Sequence, residues 1–301
     1  METSNNSSTV LVAGATGFLG TEICRQLIEK NKKVKGLVRS TSDAEKVNRL
    51  NEMGVETVIG DLKDKPSLEN ALKGVTTVIS TATSIISQKR GDSIQTVDEE
   101  GQINLVGAAK EAGVDHFVYI SVYPMQGEIP LQKVKRKVEK HLAESGLNYT
   151  ILQPTFFMEV WLGPALGFDY INAKAMIYGE GKNPITWISL QDVAAFAVAS
   201  LDNESAKNKI IELGGPEAIS PMEVVQIFEK VRGEKFDVQF VPEETLKAQK
   251  AAAPDTLSES FAGLMIAFAH GNKIDMTDTL KVFPLELMSV REYAERVGVP
   301  A

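Results

Sequence analysis

Cysteine is almost absent from this 301-residue chain, with Cys24 the only one. A disulfide within the chain is excluded, which fits a reducing compartment, and a cytoplasmic location is expected. Histidine is nearly as scarce, at three residues, and no His/Cys/Asp cluster has metal-ligand spacing. No metal site is expected. No Gly-x-Ser-x-Gly elbow occurs, which disfavours hydrolysis by a serine nucleophile. No apolar run approaches the roughly 20 residues that a membrane-spanning helix needs, so no membrane partner is expected. The opening METSNNSS is polar, lacks the apolar stretch of a secretory signal, and is expected to fray. Positive charge is also short, with 32 Lys and Arg against 40 Asp and Glu, a net charge of −8. Such a chain repels polyphosphate at long range, so nucleic acid is not expected as a partner.

What the chain does have is apolar material, at 43%, enough for a full core in one large α/β unit or two modest domains. Its first half alternates. Strands are expected at Val10–Ala13, Lys33–Val38, Val55–Ile59, Thr77–Ser80, Phe117–Ser121 and Tyr149–Leu152. Helical spacing fills Thr16–Lys30, Asp43–Glu52, Ser67–Lys73, part of Thr96–Ala112, and Val134–Ser145. Continuous Val- and Ile-rich runs separated by helices imply a parallel sheet covered on both faces. After Pro154 the rhythm breaks. Residues 156–184 read as an insertion, followed by a strand, a turn and a helix capped near Asp192, then a strand at Lys209–Leu213. From Gly214 onward helices dominate, at Pro221–Val231, Glu243–Ala252 and Ser258–Phe268. The expected fold is a Rossmann-type doubly wound parallel sheet over residues 1–155, rejoined by about 185–215. A smaller, mostly helical C-terminal substrate domain takes 156–184 and 216–301, with the binding cleft between the two.

VLVAGATGFLGTEICRQLI (10–28) joins a strand to a helix through Gly14, Gly17 and Gly20. Gly14 turns the backbone, Gly17 admits a pyrophosphate, and Gly20 lets the helix pack on the sheet. Thr16, Phe18 and Leu19 complete the loop, and the helix start offers free N–H groups to phosphate. At the end of the second strand, where an NAD site carries an acidic residue, stand Arg39, Ser40 and Thr41. A guanidinium grips a 2′-phosphate, so NADP(H) is the expected cofactor, with Lys46 a weaker second cation. Asp61 and Leu62 are placed beside the adenine and Thr81 on the nicotinamide side.

GATGFLG, LVRS (37–40), IGDL (59–62), EAGVDHFVYIS (111–121), SGLNYTILQPTFFME (145–159) and ISLQDVA (188–194) together resemble the NmrA-like atypical short-chain dehydrogenases/reductases. AFAHGNKIDMTDTLKVFP (267–284) and SVREYAERVG (289–298) are similar to the ends of isoflavone-reductase-like members. The resemblance implies an extended Rossmann domain that uses NADP(H) and a small substrate domain, with Pro154 and Phe157 among the cofactor contacts. It does not imply one reaction: members reduce activated C=C, C=O or C=N bonds, and some sense the cofactor without catalysis. Typical short-chain dehydrogenases carry Tyr-x-x-x-Lys and a strand-end Ser. Ser121 stands where that Ser belongs, but Leu131 stands four residues before Lys135, where the tyrosine would be. This fits members in which a Lys of a K-x-K-V segment acts on substrate or ribose. The segment here is Lys135–Val138.

Lys135 sits in PLQKVKRKVEKH (130–141), which packs five Lys or Arg and one His into an acidic chain. Helical geometry divides them. At about 100° per residue, Leu131, Val134, Val138 and Leu142 form the core stripe, with Lys135 about 55° from its centre. Lys133, Arg136 and Lys140 lie on the far side, partly paired with Glu139 and Glu144, and Lys137 sits near the boundary. The catalytic expectation is therefore Lys135, with Ser121 and with Tyr123 as a substitute proton donor. Phe156, Met158, Trp161, Phe261, Met265 and His270 are the expected substrate contacts, fitting an apolar or aromatic small molecule. The function expected is NADPH-dependent reduction by a monomer or homodimer. The alternative is a non-catalytic NADP(H) redox sensor.

Overall fold

The computed structural model describes residues 8–85 and 89–298. Most of the METSNNSS opening lies outside the described residues. In chain order the elements begin β1 (Thr9–Ala13), α1 (Phe18–Glu29), β2 (Lys33–Val38), α2 (Ala44–Glu52), β3 (Glu56–Ile59), α3 (Lys65–Ala71) and β4 (Thr77–Ser80). A π-helix, Ile94–Gly101, runs directly into α4 (Gln102–Glu111). Then come β5 (His116–Ile120), α5 (Pro130–Glu144), β6 (Asn148–Pro154), α6 (Met158–Trp161), β7 (Phe168–Asp169), β8 (Lys174–Tyr178) and β9 (Ile185–Thr186). The chain continues through α7 (Leu190–Ala199), β10 (Lys209–Leu213), β11 (Ala218–Ile219), α8 (Pro221–Arg232), β12 (Asp237–Val241) and α9 (Glu243–Ala251). It ends with α10 (Thr256–His270), α11 (Thr277–Val282) and α12 (Val290–Gly298).

The chain divides into two compact units. The first runs to Ser121 and resumes as Val134–Leu152 and Ala194–Ile211. The second takes Val122–Lys133, Gln153–Val193 and the remainder from Glu212. One seven-stranded sheet has the order β10-β6-β5-β4-β1-β2-β3. The pairings from β3 through β6 are parallel. The order 3-2-1-4-5-6 is that of a doubly wound dinucleotide-binding sheet, with its reversal between β1 and β4.

Sequence dictates this arrangement locally. Val10, Leu11, Val12 and Ala13 are all fully buried, as a strand covered on both faces requires. Leu19, Ile23, Cys24 and Leu27 form the inward stripe of α1. Burial pushes the Cys24 thiol up to about 12, so this thiol is inert at neutral pH. Asp43 caps α2 by accepting the Lys46 N–H at 3.1 Å. The hydrophobic core of the first unit gathers Leu11, Leu68, Leu105, Phe117, Tyr119 and Val138. Each such side chain contributes roughly 1.5–3 kcal/mol on burial.

In the second unit, Phe268 is the hub of an aromatic cluster. It stacks on Trp161 at 5.1 Å and meets Phe156, Trp187 and Tyr178 within 5.8 Å. Two small sheets lie in this unit, β12-β8-β7 and β11-β9. The sequence reading left KAMIY (174–178) and DVQFV (237–241) unassigned. β12 is exposed at three of its five positions, so it lacks the buried apolar run that marks the strands of the first unit. The α7 cap is Ser189, whose Oγ accepts the Asp192 N–H at 3.0 Å, and Asp192 itself lies three residues further in. Among the described residues no helix is long and apolar enough to cross a membrane.

Candidate functional site

The glycine loop closes the carboxyl end of β1. Gly14 holds φ +85°, and a Cβ there would lie 2.5 Å from Thr81 Oγ1 and 2.9 Å from the Ala82 nitrogen. A side chain is therefore excluded by backbone conformation and by space. Thr81, which follows β4, donates its backbone N–H to the Ala13 carbonyl at 2.9 Å. A Cβ on Gly20 would lie 2.1 Å from the Gly14 oxygen, so α1 packs directly on the loop that precedes it. Gly17 is exposed and is the N-cap of α1, with no side chain capping the helix. No side chain therefore takes up the leading N–H groups of α1, which carry the positive end of the helix dipole. Thr16 is half-buried, Phe18 is 70% exposed, and Leu19 and Gly20 are buried. This cradle fits a dinucleotide pyrophosphate, and the residues that would hold it are those of the Gly14–Gly20 loop.

Arg39 and Ser40 follow β2 at the same edge of the sheet. The Arg39 backbone N–H donates to Ser42 Oγ at 2.9 Å, fixing the turn. Its Nη1 lies 2.6 Å from Asp92 Oδ2, and Lys63 Nζ lies 2.5 Å from Asp92 Oδ1. The Asp92 side chain is 1% exposed, against 28% and 29% for Arg39 and Lys63. Burial works to raise the Asp92 carboxyl. The hydrogen bonds from Lys63, Arg39 and the Lys89 N–H outweigh it and hold the group below the usual carboxylate range. Sequence reasoning named Arg39 but missed Lys63 and Asp92, because the pairing spans 53 and 29 positions. Lys46 is exposed on α2. Asp61 is half-buried and accepts the Lys63 N–H at 2.9 Å, while Leu62 is buried with its carbonyl bonded to Asn104.

The lysine helix divides as its angles require. Leu131, Val134, Val138 and Leu142 are buried, Lys133, Lys137 and Lys140 are exposed, and Lys135 is only 7% exposed. Lys135 Nζ donates to the Ile120 carbonyl at 3.2 Å and stands 5.1 Å over the Tyr119 ring. Burial lowers the Lys135 pKa, and the nearby Asp98 and Glu139 carboxylates oppose that shift only in part. Arg136 differs from expectation: it is half-buried because it pairs with Glu139, itself a buried residue. Glu139 also accepts the Ser121 hydroxyl, tying the end of β5 to α5. Ser121 therefore spends its proton inside the fold. Asp98, on the π-helix, accepts the Ser84 N–H at 2.9 Å and hydroxyl at 2.6 Å through Oδ2. Among the described residues its Oδ1 and the Tyr119 hydroxyl are buried without hydrogen-bond partners. π-Turns of this kind frequently occur at functional positions.

The remaining expected site residues lie in the second unit. Tyr123 is half-buried, and burial, then Glu212, raises its phenol above the ordinary value. Pro154 accepts the Tyr123 N–H at 3.0 Å, and Phe157 is half-buried beside a bridge to Ile188. Met158 is fully buried and Phe156 is 5% exposed, so packing leaves them almost no surface for a ligand. Trp161 is half-buried in the same cluster. Phe261 and Met265 line a cavity of about 490 Å³ with Gln249, Ala252, Pro254 and Ser258. Phe268, three positions beyond Met265, turns instead into the aromatic core. His270 is exposed at the end of α10 and meets Glu243 at 3.1 Å.

Strand order and glycine loop define a Rossmann-type dinucleotide-binding chain. The chain belongs to the NmrA-like family, whose model matches residues 6–294. It is 34% identical over 247 residues to the photosystem II assembly factor Ycf39 of Synechocystis sp., covering 80% of this chain and 73% of that protein. It is 33% identical over 258 residues to the NAD(P)H azoreductase of Xenophilus azovorans, covering 85% and 84% of the two chains. The structure of Citrobacter sp. triphenylmethane reductase complexed with NADP(H) is similar with a TM-score of 0.76 at 25% identity, over 96% of this chain and 100% of that one.

Proposed function

We propose that this chain is an NADPH-dependent reductase that delivers hydride to an activated C=C, C=O or C=N bond of a small apolar or aromatic molecule. One observation carries the reading. The carboxyl ends of adjacent parallel strands present, in the order β2-β1-β4-β5, Arg39, the glycine loop, Thr81, and Ile120 with Lys135. Three strand spacings of about 4.8 Å separate the first from the last, roughly 14 Å along one sheet edge. A dinucleotide laid across such an edge at the strand-order reversal has its 2′-phosphate toward Arg39 and its reactive ring toward β5. The NAD(P)H azoreductase and the NADP(H)-complexed triphenylmethane reductase support the same cofactor and reaction class.

NADPH supplies the hydride when bound. Lys135 holds a proton on a desolvated ammonium whose acidity burial increases, so it stabilises negative charge developing on the acceptor or returns a proton to it. Ser121, bonded to Glu139, positions α5 against β5 and keeps Lys135 in place. The test is NADPH oxidation against azo dyes, quinones, enones and aryl ketones, comparing wild type with Lys135→Met. A fall of about 100-fold, mainly in kcat, is expected. Equal turnover of the best substrate by both proteins overturns the role of Lys135.

A second reading has one specific support, the similarity to an assembly factor. On it the chain binds NADP(H) and acts on a protein partner without turnover. Strong preference for one oxidation state, with no oxidation of NADPH by any substrate, would favour it.

A further inference from the structure

Two cations, not one, meet at the end of β2. Arg39 and Lys63 come from the strand ends of β2 and β3 and converge on opposite oxygens of one carboxylate, at 2.6 and 2.5 Å. That carboxylate, Asp92, is anchored further by the Lys89 N–H at 3.0 Å. Asp61 Oδ2 also lies 4.0 Å from Lys63 Nζ, so the two cations are balanced by two carboxylates. Arg39 commits Nη1 to Asp92 and its backbone N–H to Ser42. The rest of its guanidinium fork is the edge that suits a phosphate. Lys63 is fixed from both sides, since its own N–H bonds Asp61 Oδ1 at 2.9 Å. Lys46 is exposed, as Lys63 is, and contributes to α2 through its backbone N–H on Asp43 Oδ1.

We propose that Lys63 is the second cation for the 2′-phosphate of NADP(H), held beside Arg39 by Asp92, and that it sets the preference over NAD(H). The proposal rests on the cofactor reading above. Asp92 acts as a positioning residue: it is too enclosed to meet a ligand and instead spares both long side chains part of the entropy of ordering.

Binding is measured by calorimetry, without turnover, using NADP⁺, NAD⁺, adenosine 2′-monophosphate and adenosine 5′-monophosphate. Lys63→Met should weaken NADP⁺ and the 2′-monophosphate about ten-fold, leaving NAD⁺ and the 5′-monophosphate within about two-fold. Lys63→Arg should restore most of the loss, and Lys46→Met should change none of the four. Equal weakening of NADP⁺ and NAD⁺ by Lys63→Met would mark a structural role and overturn the proposal. So would unchanged NADP⁺ affinity in Lys63→Met, or the selective loss appearing in Lys46→Met. Wild type that prefers NADP⁺ while Lys63→Met stays silent defeats only the Lys63 inference. Wild type that binds none of the four defeats the cofactor reading itself.

Discussion

Replacing Gly20 by Ala asks whether the seat of the glycine loop is as tight as it looks. The new Cβ would stand 2.1 Å from the Gly14 oxygen, 2.7 Å from its carbonyl carbon and 3.0 Å from Ala15 Cα. These neighbours are backbone and cannot rotate away. Ordinary contact begins near 3.4 Å, so loop and helix must part by about 1 Å. Gly14 is already held at φ +85° and accepts the Gly17 N–H at 2.9 Å. Overpacking of this kind costs roughly 1–3 kcal/mol. Straining the Gly14–Gly17 bond adds about 1 kcal/mol, and the better helix propensity of Ala returns up to about 1 kcal/mol. The net expectation is a loss of about 1–3 kcal/mol in urea unfolding, together with at least ten-fold weaker NADPH binding as the helix N–H groups leave alignment. Gly107→Ala is the control, because a Cβ on that helical glycine of α4 meets nothing within 4 Å. It should be neutral or gain up to about 1 kcal/mol. If Gly20→Ala matches wild type in both stability and NADPH affinity, the account of the loop fails.

Burial pushes Asp192 up to about 6 from 3.8, with its carboxylate accepting the Met288 N–H at 3.0 Å. Because the folded value is the higher one, the folded state binds the proton more tightly. That contribution is complete below about 4 and is lost as pH rises through about 6, a swing on the order of 3 kcal/mol. Asp192→Asn keeps an acceptor for Met288, so it should flatten this part of the pH profile and raise the melting temperature at pH 7; a lower one would contradict the assignment. Tyr119→Phe removes a buried hydroxyl that has no hydrogen-bond partner among the described residues, so stability should hold or rise slightly. Turnover should be unchanged as well, and a 100-fold drop would instead make Tyr119 a proton donor.

The parallel sheet was legible because buried strands write themselves as unbroken apolar runs, and VLVA (10–13) is buried throughout. Lys135 was legible because its position depends only on helical angle, which the local sequence carries. Lys63 and Asp92 were not, since their meeting depends on where separate strand ends lie. The same holds for Glu139, which helical spacing marks as a surface partner of Arg136. Only the fold shows that it is buried and also bonded to Ser121. Phe156 and Met158 sit in an aromatic-rich stretch that composition cannot divide between core and pocket, and packing places them in the core.

The seven-stranded sheet has a consequence for the order in which the chain is made. β6 ends at Pro154, and its outer neighbour β10 begins only at Lys209. Throughout the synthesis of the intervening segment the nascent sheet carries β6 as an open edge, the state in which strands add to one another wrongly. Closing that edge brings together residues far apart in sequence, a slow step for a folding chain. A ribosome that pauses after β10 has emerged should therefore release a chain far less prone to aggregate than one halted a few dozen residues earlier.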